Sequence, residues 1–344
     1  MAYTTINKST DYFNTKLYTG NGSTQSITGV GFQPDLSWVK NRDTTAWHTL
    51  VDIVRGVTKT LWSNRADAQG TYSSSINAFD SDGFTVGNSG DVNNNGSNLV
   101  SWNWKAGGTG SANSNGSIAS TVSVNNTAGF SIVKYTGYGG VSTVGHGLNV
   151  APKVIINKNF EGGSTSWFVG GWNDWTKRLK LEGTNDWATN TVWNDTAPTN
   201  QVFSLNGTNA NSSGQDYIAY CFAEKTGYSK FGTYTGNGSS DGTFVYTGFK
   251  PAFVIYKGAT GANATDNWEM ADNKRSPYNG IENVLYPNLN NAEGTGVTTR
   301  MDFLSNGFKM RTTGSDYNGS GQTYIYMAFG QSLVGSNNVP CTAR

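Results

Sequence analysis

Three stretches of this chain begin alike: Tyr18-Thr19-Gly20-Asn21-Gly22, Tyr135-Thr136-Gly137-Tyr138-Gly139 and Tyr234-Thr235-Gly236-Asn237-Gly238. A proline follows each by 16 or 17 residues, at Pro34, Pro152 and Pro251, and a lysine comes six residues later, at Lys40, Lys158 and Lys257. Between proline and lysine lie strand formers: Leu36-Ser37-Trp38-Val39, Val154-Ile155-Ile156-Asn157 and Phe253-Val254-Ile255-Tyr256. A threefold match at fixed offsets marks an internal repeat, which fixes the architecture before any single element is assigned.

The far ends of the repeats agree as well. Leu99–Trp104, Tyr217–Phe222 and Tyr324–Phe329 are three closing runs, almost wholly aromatic and aliphatic. The first two start 65 residues after their proline and the third 73, so the third copy carries an insertion. Just upstream, Asp82–Val86, Gln201–Leu205 and Asn306–Met310 each read as a turn feeding a strand. A tryptophan recurs mid-unit, at Trp47, Trp167 and Trp268, with a drifting offset.

Glycine in the opening element supplies turn conformations. A proline without an N–H belongs at the start of a strand or in the turn before it. Near-continuous apolar runs predict strands covered on both faces, with the closing run central. No long 3.6-residue periodicity exists; Asp52 to Asn64 is the best helical candidate, weakened by Gly56 and by its β-branched residues. Charged residues are 14% and aromatics 13%, and 44 glycines punctuate the chain, a composition of short strands and many turns. The reading is an all-β protein of three tandem β-sandwich domains of the jelly-roll or lectin-like type, with immunoglobulin-like sandwiches as runner-up. The expected layout is an N-terminal arm at 1–11, repeats at 12–105, 117–226 and 227–331, a flexible Gly/Ser/Asn linker at 106–116, and a polar tail at 332–344.

Charge excludes some partners. With 24 basic and 23 acidic side chains and no basic stripe, neither nucleic acid nor an anionic membrane surface is an expected partner. No apolar window is long enough for a membrane span, and the first eleven residues lack a signal-peptide pattern. Of two cysteines, Cys221 reads as a buried thiol and Cys341 as a thiol near the end of the chain.

Chemistry is sparse. His48 and His146 lie in different units and read as structural; no Gly-x-Ser-x-Gly elbow accompanies them. Paired carboxylates of a glycosidase could come from Asp174, Asp186 and Asp195 or from Asp266, Glu269 and Asp272, but none recurs across the repeats. Asp80-Ser81-Asp82-Gly83 lacks the later glutamate of a calcium loop and reads as a turn. No catalytic residue, metal site or cofactor is expected. One concentration is suggestive: Trp167, Trp172, Trp175, Trp187 and Trp193 fall within 27 residues among Asn, Asp, Thr and Gly. Flat rings beside amides and carboxylates suit sugar recognition. Trp172, Trp175, Trp187 and Trp193 are therefore the candidate glycan or receptor contacts, against the alternative that they fill the core; Trp167, which recurs, reads as structural.

Three runs carry a resemblance: Gly31-Phe32-Gln33-Pro34-Asp35-Leu36-Ser37-Trp38-Val39-Lys40, Val144-Gly145-His146-Gly147-Leu148-Asn149-Val150-Ala151-Pro152, and the ending Asn337-Asn338-Val339-Pro340-Cys341-Thr342-Ala343-Arg344. Over nearly the whole chain they resemble tandem-repeat virion structural or tail-fibre-like proteins of tailed bacteriophages from aquatic bacteria and cyanobacteria. The ending departs from the family's Pro-Ala-Thr-Ala-Arg, and the first unit lacks the His-Gly-Leu element. The resemblance implies a non-enzymatic place on a virion. The leading expectation is a tail-fibre or adhesin component, a homo-oligomer (trimer favoured) that touches other virion proteins and a host-surface glycan or receptor. The alternatives are a capsid decoration, cement or head-fibre protein, and a tailspike depolymerase.

Overall fold

A computed structural model describes residues 4–260, 266–294 and 299–333. Each repeat is a sandwich of one large and one small sheet, with its strands paired antiparallel. In the first unit the large sheet runs Phe13–Thr19, Asn98–Trp104, Leu36–Asn41, Thr49–Asp52, Lys59–Trp62, Gly70–Thr71, and the small one Gln25–Thr28, Gly83–Val86, Ile76–Asp80. The second unit's large sheet has eight strands, with Asp216–Phe222 between Phe130–Thr136 and Val154–Asn159; its small sheet pairs Ser142–Gly145 with Val202–Leu205. In the third, Thr323–Gly330 lies between Ser229–Thr235 and Pro251–Thr260, and Gly307–Met310 between Phe244–Tyr246 and Met301–Leu304. The closing run is thus the interior strand each time, as its apolarity demands.

The opening element is held by a partner that repeats with it. Tyr18, Tyr135 and Tyr234 each donate their hydroxyl at 2.7 Å to a carbonyl of a short helical turn, that of Val92, Ala210 and Tyr317. The next residue of that turn is a fully buried asparagine, Asn93, Asn211 or Asn318. Its side-chain oxygen accepts the N–H of Asn21, Tyr138 or Asn237 (2.9, 2.9 and 3.1 Å), and its amide donates back to loop carbonyls. The two glycines of the element have separate reasons. Gly20, Gly137 and Gly236 lie where an added Cβ would fall 2.2–2.3 Å from a carbonyl oxygen, whereas Gly22, Gly139 and Gly238 have positive φ.

Both faces of the large sheets are buried, but by different things. One face packs on its own small sheet, giving three separate sandwich cores. The other faces converge on one core shared by all three units. At its centre Trp104, Phe222 and Phe329, which occupy equivalent places in the closing strands, meet pairwise at 6.4, 5.9 and 6.1 Å between ring centroids. The units therefore close around a pseudo-threefold axis.

The seams repeat in the same cyclic sense. Trp167 Nε1 donates to the Trp62 carbonyl at 3.0 Å, and Trp268 Nε1 to the equivalent Lys180 carbonyl at 2.9 Å. In the first unit this place belongs to His48, not Trp47: Thr49, Phe168 and Glu269 pair with Val39, Asn157 and Tyr256, so the residue before each is equivalent. His48 Nδ1 accepts from Trp38 Nε1 at 3.0 Å, and burial, Lys40 and Arg275 push its pKa far down against the opposing Tyr286 carbonyl. The repeated lysines work alongside. Lys158 Nζ reaches the Ala66 carbonyl of the first unit (3.0 Å) and Lys257 Nζ the Thr184 carbonyl of the second (2.9 Å). Lys40 Nζ donates to the Asn41 and Thr44 carbonyls within its own unit. Burial draws all three ammonium groups down to about 8. The seam of the first and third units closes through Arg42 and Glu293 at 2.6 Å.

Two expectations need correcting. The 106–116 segment is not a free linker: Ala106 is buried and its N–H donates to Asp35 Oδ2 at 2.7 Å, and Ser111–Asn113 pair with Ser120–Val122. Gly, Ser and Asn serve a tight strand–turn–strand as well as a flexible tether, and Gly110 and Gly116 take positive φ here. The helical candidate from Asp52 to Asn64 is instead a turn joining two strands. The N-terminal arm docks, with Ile6 in the shared core and the Asn7 carbonyl bonded to the Leu333 N–H. Cys221 is buried; the tail from 334, with Cys341, lies outside the described residues.

Candidate functional site

Three of the second unit's four candidate tryptophans are buried. Trp193 is fully buried, and Trp172 and Trp175 are only 6% and 7% exposed. Trp172 lies in the shared core and donates Nε1 to the Tyr326 carbonyl of the third unit at 3.0 Å. Trp175 and Trp193 meet edge-on at 5.5 Å inside their own sandwich. Trp187 is half-buried, edge-on to Trp172, with the Lys177 ammonium 5.0 Å from its ring. The physical reason is the unit's longer sheet and the threefold core, both of which need large rings. No face remains for a sugar on three of the four.

Asp174, Glu269 and Asp272 are engaged, whereas Asp266 Oδ1 is buried without a hydrogen-bond partner. Asp272 is buried against Arg275 at 2.6 Å, and Asp174 accepts from Thr176 and Lys177. Glu269 is buried and accepts from the Tyr256 hydroxyl; burial lifts its pKa to about 7. Burial, then Asp316, lifts Asp266 to about 6. Asp82 accepts from the Gly29 and Gly31 N–H groups, a turn clasp. His146 Nδ1 accepts from Leu148 N–H while Nε2 lies 3.1 Å from the Thr199 carbonyl. Among the described residues no group of three or more His, Cys, Asp or Glu could hold a metal ion, and no helix is long and apolar enough to cross a membrane.

The structure brings together a different set, in the first unit. In a β-hairpin alternate side chains share a face, so Leu50 and Leu61 enter the shared core while Thr49, Thr60 and Trp62 point the other way. On that face the small sheet stops short, and a cleft of about 170 Å³ opens between Trp47, Trp62 and Tyr72, with Ser75, Ser89 and Asp91 completing it. Trp47 and Tyr72 are 38% and 45% exposed, and each meets Trp62 edge-on, at 5.4 and 5.9 Å. The Arg65 guanidinium lies 3.9 Å from the Trp47 ring. Asp91 Oδ1 accepts the Trp47 N–H at 3.0 Å; burial raises its pKa, opposed by that bond and by Lys40 and Arg65. Thr60 and Ser75 are among the cleft's lining residues, and their hydroxyls are buried without a partner. An unpaired buried hydroxyl costs about 1–3 kcal/mol.

The other units fill this place. Phe168, equivalent to Thr49, carries the Arg178 guanidinium 5.0 Å from its ring. Over Glu269 sit Tyr256 and Arg300, the latter 4.1 Å from the Tyr317 ring. Among the described residues the cleft is formed in the first copy. Sequence reasoning missed it because Trp47 was grouped with its repeated counterparts; the signal was that Trp47 and Tyr72 stand where the second copy has Ser166 and Asn190.

A family described as a domain of unknown function (DUF7483) matches residues 8–332. The chain belongs to this family. Neither a curated protein nor a solved structure matches. The matched span takes in all three units and the segment between the first two, so the DUF7483 unit is the whole threefold body, in keeping with its shared core.

Proposed function

We propose that this chain is a bacteriophage virion structural protein of the tail-fibre or adhesin kind, which attaches to a saccharide of the host surface through the first unit's cleft. The cleft is the observation that carries the reading. Aromatic walls stack on the C–H faces of a pyranose, and two unpartnered hydroxyls with a carboxylate can answer its hydroxyl groups. The virion setting rests on the resemblance of the three sequence runs quoted above. Buried seam contacts would hold the cleft in a fixed orientation on a body that is itself threefold.

Purified protein is expected to bind host cells, to retain members of a saccharide panel, and to block phage adsorption. Thr60→Val, which removes an unpartnered hydroxyl, should leave folding stability unchanged or higher while weakening saccharide binding about tenfold, the worth of one hydrogen bond. Trp47→Ala should abolish binding without unfolding the chain. No retention of any panel saccharide at high protein concentration would sink the reading. Labelling on the head of the virion rather than the tail would replace it with a cement role.

A further inference from the structure

We infer that Trp167 and Lys158 of the second unit are positioning residues for the first unit's cleft. The wall of that cleft is the segment that carries Trp62 and Arg65, and three of its carbonyls are taken by the neighbouring unit. Trp167 Nε1 donates to the Trp62 and Arg65 carbonyls at 3.0 and 3.1 Å. Lys158 Nζ and the Thr165 N–H both donate to the Ala66 carbonyl, at 3.0 and 2.8 Å. The first unit holds the segment through the pairing of Trp62 with Thr49, the Arg65 N–H to the Trp62 carbonyl at 3.2 Å, the Ser63 N–H to the His48 carbonyl at 3.2 Å, and Asn64 Oδ1 accepting the His48 N–H at 3.0 Å. The neighbouring unit thus shares the Trp62 carbonyl and adds the bonds to Arg65 and Ala66. The far side of the same segment bears the rings, with Arg65 3.9 Å from Trp47 and 5.4 Å from Trp62.

A shift of the Trp62 and Arg65 backbone would therefore change the angle at which Trp62 meets Trp47 and Tyr72. Trp167 and Lys158 do not line the cleft themselves, so their effect must pass through those carbonyls. The inference deepens the binding reading above and rests on it for its biological sense. Its geometric content can be tested without any saccharide.

Two indoles at 5.4 Å give an exciton band in far-ultraviolet circular dichroism. The band is isolated as the difference between the full chain and its Trp47→Phe variant. Trp167→Phe keeps an aromatic ring but removes the donor, and Lys158→Met keeps the buried stem but removes the ammonium. Each should lose most of the band well below its unfolding temperature. The control is the equivalent donor at the next seam: Trp268→Phe should lower stability comparably and leave the band intact. An unchanged band in Trp167→Phe, or an equal loss in Trp268→Phe, overturns the inference. Where Trp167→Phe does not fold, Lys158→Met against Lys257→Met carries the same comparison. The band can fail while the saccharide panel succeeds, and the reverse, so the two readings fall separately.

Discussion

Asn211 makes the clearest case at the scale of a residue. It is fully buried, accepts the Tyr138 N–H and donates to the Gly140 carbonyl at 2.8 Å. Asn211→Ala should cost about 2–4 kcal/mol, since two buried backbone groups lose their partner; denaturant unfolding measures it, and a loss under 1 kcal/mol would show that water replaces the amide. The same asparagine stands five residues before the closing strand in every unit, at Asn93, Asn211 and Asn318. That regularity was open to reading but hidden in a chain where asparagine is common. The lysines were visible as repeats, yet their role was not. What an ammonium touches across a seam depends on which loop of the neighbour comes near, and no local pattern encodes that. Trp47 misled for a related reason: His48 holds the seam place, and a one-residue slip turns a side chain to the opposite face.

Strands were easier to read than what joins or faces them. The closing runs, the proline-led strands and the opening turns all form where their composition predicts. The two-faced burial of those strands was expected from their apolarity, though its second source was not: one face meets a small sheet, the other meets two neighbouring units. The segment at 106–116 shows the limit of composition, because glycine and serine allow a tether and a tight turn equally. Its backbone bonds to Asp35 and Ser123 and its pairing with the next strand predict that limited proteolysis spares it in the native protein. Rapid cleavage between Gly107 and Gly116, ahead of other loops, would contradict that pairing. The second unit's tryptophans were legible as aromatic-rich, with core filling the alternative to binding; the third unit buries Trp172, and their own sandwich buries Trp175 and Trp193.

The whole molecule should unfold as one body. Phe13, Trp104, Phe222, Phe253 and Phe329 form one ring cluster drawn from all three units, so no unit can melt without exposing the faces of the others. Calorimetry is expected to show a single transition whose calorimetric and van't Hoff enthalpies agree; a calorimetric value about threefold larger would mean independent units. Alkali should then strengthen the fold before weakening it. Each seam lysine has a folded pKa of about 8 against 10.5 for the ordinary side chain. Between those values the unfolded chain binds more protons, so stability rises with pH. Above about 10 the buried Tyr135, Tyr220, Tyr234 and Tyr256, whose pKa values are pushed up by burial, reverse the trend, because only the unfolded chain releases their protons. Melting temperatures from pH 8 to 10 check this, and a fall across that window would exclude the buried ammonium groups as its governing charges.

The meeting of the two ends near Asn7 and Leu333, with Thr10 on Ser332, closes the ring where the third unit returns to the first. The order of the copies along the chain is then arbitrary to the fold. A circularly permuted gene that opens between the second and third units, at residues 224–230, and splices the old ends together would encode the same body. In such a body the cleft would move from the first unit in sequence to the second while staying where it is in space.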